Sequence, residues 1–212
     1  MKLSLDEIGL KHKTDKSSMT HCYLGNYEKY LESWRDKEFT LLELGVAGGA
    51  SIKMWREYFP NAKVYGIDNN PDCAGEGIFI GSQVDTEFLD KVLDAIGEVN
   101  VLVEDCSHVG SLTIESFQYL FPKIAEGGMY FIEDTATFYS EQYSPERYEG
   151  VSTVFRFFTD LAYDVDIAGR AMTGNSKVAI ETTNPTFHPL PEYSRILESM
   201  HIHQSLWLFK RR

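Results

Sequence analysis

Apolar residues along this chain fall into two rhythms. Short runs at Phe39–Val46 (FTLLELGV), Lys63–Asp68 (KVYGID), Gly77–Gly81 (GIFIG), Val99–Cys106 (VNVLVEDC) and Met129–Asp134 (MYFIED) read as buried strands. Between them the spacing turns helical. Ser51–Phe59 follows a glycine-rich turn, Asp85–Gly97 sets Phe88, Leu89, Val92, Leu93 and Ile96 on one face, and Ser111–Ile124 ends at Gly127-Gly128. A further helix is predicted around Ser152–Tyr163, and two closing strands at Ser176–Thr182 and Gln204–Lys210. The opening residues, with Tyr23, Tyr27, Tyr30 and Trp34, read as a helical preface packed over the sheet.

Strands that alternate with helices, several without period-two patterning, predict a doubly wound α/β fold whose mainly parallel sheet is covered on both faces. No linker divides the chain, so one domain is expected over residues 1–212: a preface (1–38), a central half (39–139) and a closing region (140–212). In such sheets ligands bind outside the carboxyl ends of the strands. Glu43, Asp68, Glu104, Asp105, Glu133 and Asp134 all fall at those ends. Buried charge is costly unless it is paired or holds a metal, so these ends predict a site.

Composition narrows the partners. A formal net charge of −12 offers no basic field for a phosphate backbone, which argues against nucleic acid. Cys22, Cys73 and Cys106 form no CxxC or CxxH pair and fit a reduced protein. The polar N-terminal stretch lacks a signal-peptide pattern, and no apolar run is long enough to span a bilayer. A cytoplasmic setting without a membrane partner is expected.

The acids themselves suggest chemistry. Asp105, Glu133 and Asp134 make an oxygen-rich set suited to a hard divalent cation. Neighbouring strand residues point to opposite faces, so Glu133 and Asp134 can share an ion only if the strand has already turned. His108, three residues after Asp105, is either a surface residue of the turn or a base for a substrate hydroxyl. His21 could reach the same place from the preface, whereas His201 and His203 read as surface residues before the last strand. Asp85 is a plausible helix N-cap.

The turn after the first strand, LELGVAGGAS, has G-x-x-G-G spacing and misses the dinucleotide fingerprint G-x-G-x-x-G. Its acid-x-G-x-x-x-G pattern, Glu43, Gly45 and Gly49, resembles motif I of the class I S-adenosylmethionine-dependent methyltransferases. That resemblance implies a Rossmann-like seven-stranded sheet and a cofactor held by Glu43, Gly45, Gly49, Ser51, Asp68, Gln83, Asp85 and Asp105. Asp68 would accept the ribose hydroxyls, a role shared with NAD proteins, while Gln83 and Asp85 lie where the class contacts adenine.

A narrower resemblance rests on four segments in order. They are KTDKSSMTHCYLGNYEKYL, SIKMWREYFPNAKVYGID, D-x-x-H at Asp105 and His108, and E-D at Glu133 and Asp134. Together they resemble the metal-dependent sugar O-methyltransferases of macrolide antibiotic biosynthesis, the mycinamicin and tylosin type, over about residues 11–139. Lys13 stands where that family has glycine, and the large N-terminal domain that some members carry is not expected here. The resemblance implies Mg²⁺ on Asp105, Glu133 and Asp134, His108 as base, and a small-molecule or oligosaccharide acceptor. A homo-oligomer is the expected assembly, and the aromatic stretch Thr137–Gly150 is expected to border the acceptor as a loop or lid. Three alternatives stay open: a catechol-like phenol as acceptor, with Phe131, Phe138, Tyr139 and Tyr143 stacking on it; an NAD-dependent dehydrogenase; and a non-catalytic binding module.

Overall fold

A computed structural model, which describes residues 2–172 and 192–212, shows how the strand ends converge. The parallel strands are β1 (Thr40–Leu44), β2 (Lys63–Asp68), β3 (Ile78–Ile80), β4 (Val101–Glu104) and β5 (Met129–Glu133). The helices between them are α3 (Ala50–Tyr58), α4 (Thr86–Ile96) and α5 (Gly110–Leu120), after a preface of α1 (Leu5–His12) and α2 (Leu24–Leu31). A small hairpin follows, β6 (Arg147–Tyr148) and β7 (Val151–Ser152), and then α6 (Thr153–Met172). The chain closes with α7 (Glu192–Ile196), β8 (Leu197–His203) and β9 (Leu206–Arg211). The seven-stranded sheet runs β3-β2-β1-β4-β5-β9-β8, with β9 antiparallel to both neighbours. After β3 the chain crosses back to place β4 beside β1. That reversal is the topological switch point, where a crevice opens beyond the strand ends.

Period two along the strands divides the core. Leu41, Val101, Val103, Met129 and Phe131 face the preface and α3, packing against Tyr23, Leu24, Tyr27 and Trp55. Leu42, Leu44, Leu102, Tyr130 and Ile132 face the other way, against α4, α5 and α6. Two residues beyond Leu41, Val103 and Phe131 stand Glu43, Asp105 and Glu133. Three neighbouring strands therefore end in an acid on one face, the face the preface covers.

Three expectations meet the structure differently. The strand expected at Ser176–Thr182 lies outside the described residues. Among those described, the edge strand beside β9 is β8, whose sequence LESMHIH is too polar to read as a strand. His201 and His203 are consequently half-buried in that strand, not surface residues: their rings lie 5.1 and 5.6 Å from that of Tyr30. Lys13, in the position of the family's glycine, ends α1 in the left-handed region at φ 59°. Glycine adopts that conformation without the Cβ penalty, which fits the glycine expected there from the resemblance.

Candidate active site

Beyond the ends of β1 and β4 lies a cavity of about 590 Å³, bordered by Thr14, Gly45, Ser51, Asp68, Gln83 and Asp105 among others. Its size is that of a small-molecule or cofactor site. Gly45 makes it possible. At φ +88° its missing Cβ would lie 1.8 Å from the Asp105 carbonyl oxygen, so only glycine lets the two strand ends approach. Gly49, at φ +73°, has open space around it and simply starts α3 without lining the cavity.

Asp68 braces the turn. Its Oδ2 accepts the N–H groups of Val46 and Ala47 at 2.9 and 3.0 Å, and its Oδ1 accepts that of Asn70 at 2.9 Å. Burial pushes this carboxyl up, but those backbone donors outweigh it and hold it below the usual range. The Cys73 thiol also bonds this carboxylate, which borders the cavity.

Gln83 borders the cavity and directs its amide nitrogen away, toward Glu104 Oε1 at 3.3 Å and Ser116 Oγ at 3.4 Å. Glu104 is buried on the far face of β4, where it also accepts the Tyr130 hydroxyl at 2.6 Å. Burial raises its carboxyl to about 7, against the pull of those hydrogen bonds. Asp85 is a helix cap: it accepts Phe88 N–H at 3.1 Å and does not border the cavity. Glu43 is fully buried beneath the turn and accepts the Ser51 hydroxyl at 2.8 Å.

The acid face of the sheet meets a cation that the sequence reading had not singled out. Lys16, only 1% exposed, sends its ammonium among three carboxylates. It lies 3.3 Å from Glu43 Oε1 and 2.9 Å from Glu133 Oε2, and it donates a short hydrogen bond to Asp105 Oδ2. Burial alone would lower the Lys16 ammonium. The three acids outweigh burial and push it well above its ordinary value, so it stays charged. The signal was present in the TDK motif and in the need of three same-face acids for a counter-charge.

The other oxygen of Asp105 faces a second cluster. His108 Nε2 lies 4.0 Å from Asp105 Oδ1 and 3.7 Å from Asp134 Oδ2. One ligand atom from each of the three residues falls within 4.8 Å of the others. His108 and Asp134 both have left-handed backbones, at φ 57° and 52°. At Asp134 this is the turn the alternation argument required, because it brings Glu133 and Asp134 to the same side. The preface fixes both acids: Tyr27 donates to Glu133 Oε1 and Tyr23 to Asp134 Oδ1, each at 2.6 Å. His21 stacks on Tyr23 and reaches within 3.8 Å of Asp134, as expected of a residue entering from above.

Two carboxylates with an imidazole alongside fit a hard divalent cation that keeps coordination positions for water and a substrate oxygen. Glu133, the third acid expected to hold the ion, takes a different place from Asp105 and Asp134 here. It stands deeper, with its oxygens on Tyr27 and Lys16, and is not among the three converging residues. Among the expected ring-stacking residues, Phe131 and Phe138 are core residues at 0 and 1% exposure. Tyr139 is exposed, and Tyr143 lies 6.5 Å from His108.

Strand order, reversed last hairpin, glycine turn and acids at the switch point together define the class I methyltransferase fold. Within that class, the chain is a homologue of sugar O-methyltransferases of macrolide and tetracenomycin biosynthesis. It is 34% identical over 146 residues to the L-olivosyl-oleandolide 3-O-methyltransferase of Streptomyces antibioticus, covering 64% of this chain and 38% of that protein. It is 31% identical over 166 residues to the mycinamicin VI 2''-O-methyltransferase of Micromonospora griseorubida, covering 71% and 42%. Its fold matches the MycE methyltransferase of the mycinamycin biosynthetic pathway, solved with Mg and SAH, at a TM-score of 0.83 and 24% identity, over 100% of this chain and 54% of that one. The chain spans about two fifths of the length of the curated relatives it matches. No protein-family model matches it.

Proposed function

We propose that this chain is an S-adenosylmethionine- and Mg²⁺-dependent O-methyltransferase whose acceptor is a sugar hydroxyl on a small molecule or oligosaccharide. One observation carries the reading: a cofactor-sized cavity and the Asp105–His108–Asp134 cluster share Asp105 at the switch point. The relatives, O-methyltransferases of sugar-bearing natural products, support it. Gly45, Ser51, Asp68 and Gln83 would border the cofactor, with Glu43 and Gly49 supporting the turn from behind.

Asp105 and Asp134 would hold the ion, with Glu133 as the adjoining acid. Mg²⁺ held there would supply Lewis acidity beside the acceptor hydroxyl. S-adenosylmethionine supplies a methyl group already activated as a sulfonium. The chain's own part is alignment and proton transfer. His108 takes the proton of the acceptor hydroxyl as the oxygen gains its methyl group. The rigid strand ends restrict the approach, and alignment of that kind can lower a barrier by up to about 7–11 kcal/mol. Tyr23, whose phenol is pushed up by burial and by Asp134, stays protonated and keeps donating to that acid.

The burial of Phe131 and Phe138 weakens the phenol alternative, because it removes two of the four rings expected to stack on such an acceptor. Tyr143, beside His108, supports the stretch around it as the acceptor border. Among the described residues no helix is long and apolar enough to cross a membrane. The net charge of −12 supports the absence of a nucleic-acid partner. Calorimetric titration of S-adenosylmethionine and S-adenosylhomocysteine, with Mg²⁺ and with EDTA, tests the reading. Both should bind, and Asp134→Ala should lose the ion while keeping the cofactor. Binding of neither cofactor would end the proposal.

A further inference from the structure

We propose that Lys16 is a tethered counter-cation that competes with the divalent ion for the carboxylates at the strand ends and so sets how tightly the ion is held. This rests on the divalent-cation reading above and extends it to a residue of the preface. An ammonium has three N–H donors, and Lys16 meets three carboxylates from three neighbouring strands: Glu43 of β1, Asp105 after β4 and Glu133 of β5. Two of the acids accept hydrogen bonds from it and Glu43 forms an ion pair at 3.3 Å. The compact ammonium concentrates its charge at one buried point among them.

Asp105 is the shared member. Its Oδ2 belongs to Lys16, and its Oδ1 faces His108 and the cation cluster. Glu133 is the contested one. It neighbours Asp134 in sequence and lies on the same side, yet its Oε2 is held by Lys16 at 2.9 Å. A positive charge on two acids next to the ion weakens their hold on it. With Lys16 replaced by a neutral side chain, those acids become free to take the ion more tightly, or to take a second one.

The segment that carries Lys16 is well anchored. Thr14 N–H donates to the Gly9 carbonyl and Tyr23 N–H to the Lys16 carbonyl, at 3.1 and 2.9 Å. The ammonium is therefore delivered by a braced turn. Its position is a property of the fold and not of a loose side chain sampling the crevice.

The probe is Mn²⁺, followed by electron paramagnetic resonance and by calorimetry on the intact chain, without methyl donor or acceptor. Lys16→Met should tighten Mn²⁺ binding by about tenfold or more, or raise the stoichiometry from one ion to two. Unchanged or weaker binding in a folded Lys16→Met variant would overturn the proposal. If that variant does not fold, Glu43→Gln, which removes a buried acid on the far side of Lys16, takes its place. With one acid fewer to share, Lys16 leans on Asp105 and Glu133, and Mn²⁺ should bind at least several-fold more weakly. No change there overturns the proposal equally. Absence of Mn²⁺ binding in the unmodified chain would refute the divalent-cation reading itself and this inference with it, an outcome distinct from binding that ignores Lys16.

Discussion

Gly45→Ala offers a sharp test of how the site is built, because Gly49→Ala provides its control. Both glycines have positive φ, +88° and +73°, so alanine at either carries a backbone penalty of about 1–2 kcal/mol. Only at Gly45 is there also a collision. The new Cβ would lie 1.8 Å from the Asp105 carbonyl oxygen, 2.6 Å from its carbon and 2.8 Å from Cys106 Cα. These are backbone atoms with no rotamer to change, so β1 and β4 must separate. That strains the hydrogen bonds Gly45 N–H to Ile67 and Asp105 N–H to Leu44, both 2.8 Å. Overpacking of this kind costs about 1–3 kcal/mol more. Gly45→Ala should therefore destabilise by about 2–5 kcal/mol and Gly49→Ala by about 1–2 kcal/mol. Urea denaturation with a common slope measures both. Since the displaced atoms belong to Asp105, Mn²⁺ affinity should fall in the first variant and hold in the second. Equal destabilisation of the two variants, or an intact cation site in Gly45→Ala, would refute the close-approach argument.

Two other outcomes follow from the site. His108→Ala should lower turnover by about 10²–10⁴-fold while S-adenosylmethionine still binds, measured by initial rates beside calorimetry; wild-type rates would remove His108 from the role of base. Glu104, raised by burial from an ordinary value of 4.5 to about 7, binds its proton more tightly folded than unfolded. It therefore contributes stability at low pH that is lost as pH rises from 4.5 through about 7, about 3 kcal/mol across the window. Glu104→Gln should flatten that part of the stability–pH curve, and a curve of unchanged slope would show that the carboxyl titrates normally.

Much of this was readable in the sequence because strand ends in a parallel sheet are predictable places. The runs ending at Leu44, Asp68, Glu104 and Glu133 are patterned, so the acids beside them could be located before any coordinates. Lys16 could not be placed that way. Its turn has no apolar rhythm, and its partners lie 89 and 117 residues away. The part Glu133 plays was obscured for the same reason: its partners Lys16 and Tyr27 come from the preface. β8 escaped because an edge strand with histidines on one face carries little hydrophobic signal. Asp85 illustrates a third limit. A cap and a ligand-binding acid look alike in sequence, and only coordinates show the N–H of Phe88 that makes the cap.

The distance between Lys16 and its acids also has a bearing on how the molecule matures. A ribosome releases the preface first, and its lysine must wait for β1, β4 and β5 to emerge and pair before any carboxylate awaits it. Once Lys16 is seated, nearly the whole length from the preface to β5 has found its place. The charged centre thereby ties the opening segment to three strands at once: undocking it uncovers one face of the sheet and leaves Glu43, Asp105 and Glu133 without their counter-charge.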